Sequence, residues 1–281
     1  MQKIHTTHNE FFVEPAYKAG LEKLGLSSFD SVFAFEAGKN LAKDNLASHR
    51  SRLEFKIGSP ATTLFLKRYN KPPILVQLKN RLAVKKRTSC AYAEVDAARN
   101  LQALGVNVPR MVAWGEHRGP VFERRSFVII GKIPDGVSLE RSLPEFFNGQ
   151  STPENLKLRR RFIRDLAAFV KIFHDTGYRH RDLYLCHIFR VPDGRFFLID
   201  LARAFKPALL CARYLVKDLA QLNYSAPARH FSTTDRMRFY IAYIGRPKLT
   251  SKDKTFVKKI IQKTGRIARH DSKMMACRTA Q

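Results

Sequence analysis

The sequence has no apolar run approaching the roughly 18 uncharged residues that a membrane-spanning helix needs. Its opening stretch, MQKIHTTHNEFFVEP, lacks the apolar centre of a secretion signal, so a cytoplasmic location is expected. Cysteine is scarce. Cys90, Cys186, Cys211 and Cys277 are scattered and form no C-x-x-C pair, which argues against a zinc site and a disulfide framework and for reduced thiols. Repeats and low-complexity tracts are missing as well. Acidic residues are few: 24 against 51 Lys and Arg, a formal charge of +27. Solubility needs far less charge, so the excess points to an anionic counterpart, whether nucleic acid, membrane surface or phosphorylated substrate.

What is present reads as a folded protein. The 281 residues are 44% hydrophobic, with aromatic residues throughout, enough for one large domain or two lobes. The first third reads as strands and turns. SVFAFEAGK, SRLEFKIG and TTLFLKRY are short β-type runs, and SCAYAEVDAARNLQALG is a helix stopped at Gly105. Strands are expected around MVAWGE and RSFVIIGKI. After Pro134 the pattern turns helical. A long helix is predicted from Thr152 as N-cap and Pro153 at its first position to Gly177, with Leu158, Phe162, Leu166, Phe169, Ile172 and Phe173 as its apolar face. HIFRVPDGRFFLID reads as a hairpin, and three helices follow. On pattern alone this order fits two unrelated domains or a bilobal protein kinase; the expected class is α+β and bilobal, like a protein kinase. Residues 1–132 form a lobe of antiparallel sheet plus one helix, and 133–281 a mainly helical lobe.

Phosphoryl transfer requires charges held in place more than covalent help. It needs a lysine on the phosphates, an acid that holds the lysine, a carboxylate near the attacking hydroxyl, and magnesium ligands. Residues of these types occur in that order. Lys67 lies in LFLKRY, where strand alternation turns it away from Leu66. Glu94 lies mid-helix among small apolar residues. Asp182 follows His180-Arg181 in a loop after the long helix, and Asp200 ends the apolar strand FFLI. In a kinase loop of this kind an Asn stands five residues after the Asp; here that residue is His187. An imidazole there offers a neutral nitrogen to a metal, hydrogen-bonds a phosphate, or holds Asp182 in place.

HRDLYLCHIF followed by FFLIDLARA resembles the lipopolysaccharide kinase family, the Kdo and inner-core heptose kinases, whose loop has the form H-x-D-x-Y-x-x-H. The resemblance extends to LFLKRY, to AEVDAARNLQALGVNVPRMVAWGE and to the C-terminal helices. It implies ATP and Mg2+ as cofactors, Asp182 as catalytic base, Lys67 and Glu94 at the ATP phosphates, and Asp200 and His187 as metal ligands. Asp218 in KDLAQL is similar to a buried Asp that braces the catalytic loop. The implied substrate is a sugar hydroxyl of the lipopolysaccharide inner core, heptose rather than Kdo on the length of the chain. The implied location is peripheral, at the cytoplasmic face of the inner membrane.

Two departures from protein kinases stand out. No G-x-G-x-x-G precedes Lys67; FEAGKNLAKDN is the nearest loop. About ten residues separate Asp200 from the helix at RYLVKDL, too few for an ordinary activation loop. KLRRRFIR, LKNRLAVKKR and the end from Arg246 are the candidate basic patches for an anionic membrane surface. In the last of them Phe256, Val257, Ile260 and Ile261 form an apolar stripe, which either packs on the domain or inserts into a bilayer. No nucleic acid and no obligate protein partner are expected. The alternatives are a protein or small-molecule kinase and a non-catalytic kinase-like scaffold, for which keeping all four charged residues is unnecessary.

Overall fold

The computed structural model describes residues 2–6, 9–41, 47–78, 89–147 and 152–279. The chain forms two compact units that are not contiguous in sequence. The first comprises Met1–Ala103, Val108–Pro134 and Asp200–Phe205; the second comprises Leu104–Asn107, Asp135–Ile199 and Lys206–Gln281.

The first unit is an antiparallel seven-stranded sheet in the order β1-β2-β6-β7-β5-β4-β3. Its strands are β1 (Gln2–Thr6), β2 (Asn9–Val13), β3 (Lys39–Asn40), β4 (Arg50–Ile57), β5 (Thr62–Asn70), β6 (Met111–Arg118) and β7 (Glu123–Gly131). Helices α1 (Pro15–Glu22) and α2 (Phe29–Ala34), a turn α3 at 74–78, and α4 (Cys90–Ala103) complete it. Alternation along β7 sends Phe127 and Ile129 into one apolar cluster, with Leu21, Phe29 and Leu64, and Val128 and Ile130 into another, with Ala91, Val95 and Trp114. The sheet is therefore covered on both faces.

SVFAFEAGK is not a strand: Phe29–Ala34 is helical. Ser28 and Ser31 cap its start reciprocally, with hydroxyl-to-amide distances of 3.0 and 3.1 Å. At its other end the buried guanidinium of Arg68, on β5, donates to the carbonyls of Val32, Phe33 and Phe35 at 3.3, 2.8 and 2.9 Å. Those are the carbonyls a helix end leaves unsatisfied. β1, β2 and α1 lie in a stretch where the sequence reading named no element.

The second unit holds the three-stranded sheet β10-β9-β8 (Phe196–Leu198, Ile188–Arg190, Val137–Ser138) and helices α5 (Leu139–Phe147), α6 (Pro153–Asp175), α7 (Cys211–Ser225), α8 (Thr233–Ile244) and α9 (Ser251–Thr279). Thr152 caps α6 through its hydroxyl, as expected. The buried face of α6 is rotated from the predicted one. Phe162, Ile163, Leu166, Ala167, Val170 and Phe173 point inward, whereas Leu158 and Ile172 are exposed. In α9, Val257 and Ile260 are buried and Ile261 is exposed, so the apolar stripe is spent mainly on packing. Among the described residues no helix is long and apolar enough to cross a membrane.

Candidate active site

In the first unit a lysine, two acids and an arginine converge. β5 alternates, burying Leu64 and Leu66 completely and turning Lys67 to the other face. Lys67 Nζ donates to Glu94 Oε1 at 2.6 Å, an ion pair in which Glu94 is nearly fully buried. Burial leaves the pair little water to compete for its charges, which fixes the ammonium. Glu94 is held because α4 is anchored at its first turn. The buried Glu123 carboxylate accepts the Cys90 amide at 2.8 Å and the Ser126 hydroxyl, while Ser126 Oγ accepts the Ala91 amide at 3.2 Å. A carboxylate there also complements the helix dipole. Burial pushes the Glu123 carboxyl up, against the pull of the Ser126 and Cys90 donors.

Asp200 completes this group, its Oδ1 3.5 Å from Lys67 Nζ and its Oδ2 3.6 Å from Arg52 on β4. Arg52 sits directly across the ladder from Lys67, so both long cations leave the sheet side by side. Asp200 itself has left-handed backbone angles, φ 58° and ψ 58°. Aspartate tolerates that region better than most residues, and non-glycine residues held there cluster at functional sites. At the β3 edge of the sheet Gly38, with φ 138°, passes so close to β4 that a Cβ would lie 2.6 Å from the Glu54 carbonyl oxygen. Gly38 belongs to the FEAGKNLAKDN loop, of which residues 42–45 lie outside the described residues.

In the second unit Asp218 organises the H-R-D loop. Fully buried on α7, its carboxylate accepts the amides of His180 and Arg181 at 2.7 and 2.8 Å. Arg181 is thereby held at φ 70°, and Lys217 Nζ donates to its carbonyl. The His180 ring is fixed at both nitrogens. Nε2–H donates to the Ile199 carbonyl at 2.9 Å, which leaves Nδ1 to accept the Asp182 amide at 3.3 Å. His187 Nδ1 lies 2.7 Å from the Asp182 carbonyl and so carries the proton of the neutral ring. One of the roles open to His187 on sequence, holding Asp182, belongs to Nδ1. Tyr184 is set by its hydroxyl, which receives Gln221 Nε2 at 3.2 Å, and burial pushes that phenol up.

The donor types suit magnesium. Among the described residues no three His, Cys, Asp or Glu side chains cluster as a metal cage. Magnesium bound with nucleotide phosphates takes only one or two carboxylates from the protein, and Asp200 supplies hard oxygens of that kind. Arg52 was missed by sequence reasoning, because its place opposite Lys67 depends on strand register. Of the basic patches, LKNRLAVKKR lies almost wholly outside the described residues. KLRRRFIR is partly neutralised by Arg159–Asp235 and Arg161–Asp165 ion pairs at 2.8 and 3.6 Å.

Residues 50–243 match the model of the lipopolysaccharide kinase (Kdo/WaaP) family. The lipopolysaccharide core heptose(I) kinase WaaP of Pseudomonas aeruginosa is 31% identical over 176 residues, covering 60% of this chain and 65% of that protein. The chain thus spans just under two thirds of that relative's length. The enzyme of the same name from Escherichia coli is 26% identical over 220 residues, 76% of this chain and 82% of the relative. A solved structure of WaaP in complex with acyl carrier protein aligns with a TM-score of 0.68 at 25% identity, covering 91% of this chain and 98% of that one.

Proposed function

The chain belongs to the lipopolysaccharide kinase (Kdo/WaaP) family, and we propose that it transfers the γ-phosphoryl group of ATP to a heptose hydroxyl of the lipopolysaccharide inner core. The observation that carries this reading is the buried Lys67–Glu94 ion pair with Asp200 beside it. A scaffold without catalysis has no use for that arrangement. Heptose is favoured over Kdo by the names of the relatives from both organisms.

Each residue then has a task. Lys67, steadied by Glu94, donates to phosphate oxygens of ATP. Asp200, released from Lys67 and Arg52, would hold Mg2+, with His187 as the second ligand that the family resemblance implies. The ion supplies charge neutralisation on the phosphates as negative charge moves toward the leaving ADP. Arg52 is then left to face the phosphates as a second cation. Asp182, pinned through its amide and carbonyl by His180 and His187, accepts the hydrogen bond of the sugar hydroxyl and takes its proton late. The bond from the γ-phosphorus to the bridging oxygen of ATP breaks as that to the sugar oxygen forms, and ADP leaves.

Acyl carrier protein is carried over as a partner to test, because WaaP has been solved in complex with it. A peripheral site on the cytoplasmic face of the inner membrane fits the charge of +27. The test is incubation with labelled ATP, magnesium and core lipopolysaccharide lacking inner-core phosphates, followed by mass spectrometry of the glycolipid. Added phosphate on heptose is expected. Phosphate on Kdo, or on added protein alone, would overturn the assignment.

A further inference from the structure

Immediately beside the loop that carries Asp182, helices α7 and α9 leave an open groove of about 1180 Å³. Its walls are cationic. Arg213 and Lys217 come from α7, and Lys252, Lys259, Lys263 and Arg266 from α9. Arg181, the residue before Asp182, lines it too, and among the described residues no Asp or Glu does. The α9 cations are spaced by seven, four and three residues, so they stack along one helix face. Like charges at that spacing repel and weaken a helix. Elsewhere in the helical unit Arg159 and Arg238 pair with Asp235, and Arg246 with Asp253. The groove brings seven Lys and Arg residues together in a lining that includes no carboxylate among the described residues.

We infer that this groove binds the anionic groups of the acceptor, the carboxylates and phosphates carried by sugars next to the one that is phosphorylated. The inference rests on the inner-core reading above and gives that reading its substrate-specificity device. Three features favour a saccharide polyanion over a flat membrane surface. The site is a groove rather than a face. It opens beside Arg181, whose backbone Asp218 and Lys217 fix, so a ligand seated there lies next to the loop that receives the acceptor hydroxyl. Between the cations it offers Tyr214, Ser251, Thr255 and Gln262, neutral groups suited to sugar hydroxyls. Lys217 is already committed at one of its protons, and the mobile contacts fall to the exposed Arg213, Lys259 and Arg266.

The test uses the full-length protein and the triple variant Lys259→Gln/Lys263→Gln/Arg266→Gln. Its control is Lys254→Gln/Lys258→Gln, which removes exposed charges of the same helix that do not line the groove. Binding of delipidated core oligosaccharide is measured by calorimetry, beside an oligosaccharide of the same sugars with carboxylates reduced and phosphates removed. The triple variant should bind the anionic oligosaccharide about tenfold more weakly. The control variant should match wild type, ATP affinity should be unchanged, and the neutral oligosaccharide should show no difference between proteins. Unchanged binding of the anionic oligosaccharide, or equal loss in the control, would overturn the proposal. So would a defect confined to phosphatidylglycerol vesicles or to an acidic carrier protein. Because binding is read without turnover, absence of phosphoryl transfer by the wild type would count against the function and not against the groove.

Discussion

Replacing Asp218 with asparagine changes almost no volume and removes the charge that holds the Asp182 loop in shape. In the native protein the carboxylate accepts two buried backbone amides at 2.7 and 2.8 Å, from His180 and Arg181. Hydrogen bonds to a charged acceptor are each worth about 1.5–3 kcal/mol. Asparagine keeps one carbonyl oxygen for one amide, a neutral bond of about 1 kcal/mol. Its NH2 group meets the other amide donor to donor, and that buried N–H goes unsatisfied. The difference is about 3 kcal/mol of stability. The second effect is local, because Arg181 at φ 70° is held by these contacts and loses part of that support. Urea denaturation should therefore show a midpoint shift worth about 3 kcal/mol with little change in slope. Phosphoryl transfer measured well below the transition should fall more than ATP binding does. A variant as stable as wild type and equally active would refute the bracing role of Asp218.

Glu94→Gln removes the charge of the nearer of Lys67's two acidic partners and should lower kcat about 100-fold in steady-state assays, with a smaller change in KM for ATP; an unchanged kcat would remove Glu94 from the site. Burial holds the His174 imidazole below its ordinary value of 6.5, against the opposing pull of Asp218, 3.5 Å away; Tyr243 and Arg179 are its other neighbours. The folded state keeps it neutral while the unfolded chain takes up a proton. Its contribution to stability is therefore full above pH 6.5 and is lost as pH falls below that value, at up to about 1.4 kcal/mol per pH unit. Denaturation curves from pH 7 to 5 should show this slope, and His174→Gln should flatten it. Arg68→Met strands three carbonyls at the end of α2 and should cost about 2–4 kcal/mol; a thermal shift near zero would contradict the capping account. Gly38→Ala forces a Cβ against the Glu54 carbonyl and should destabilise the β3–β4 edge by about 1–3 kcal/mol, read by hydrogen exchange at Leu41.

The legible parts of this sequence are those whose signals are local. Thr152-Pro153 and Gly177 bound α6, Pro-Asp-Gly makes the β9–β10 turn, and alternation around Lys67 puts the lysine opposite two buried leucines. The fold class and family were readable because charged residues in fixed order have few other uses. What escaped depends on partners distant in sequence. SVFAF has the look of a strand, and its helix is secured partly by Arg68, more than thirty residues away. Arg52 reads as one basic residue among 51 until the β4–β5 register sets it across from Lys67. The face of α6 was misjudged because Leu158 and Ile172 fit a helical apolar stripe as well as the residues that are buried. The orientation of His187 follows from one carbonyl, which no spacing rule supplies.

The most direct test of the account compares wild type with Asp182→Asn in phosphoryl transfer from labelled ATP to inner-core lipopolysaccharide lacking phosphate. The variant should bind ATP and fold as wild type does, and transfer to heptose should fall by at least about 100-fold. Transfer at the wild-type rate in Asp182→Asn would contradict the assignment of Asp182, and with it the reading of this loop as the catalytic one.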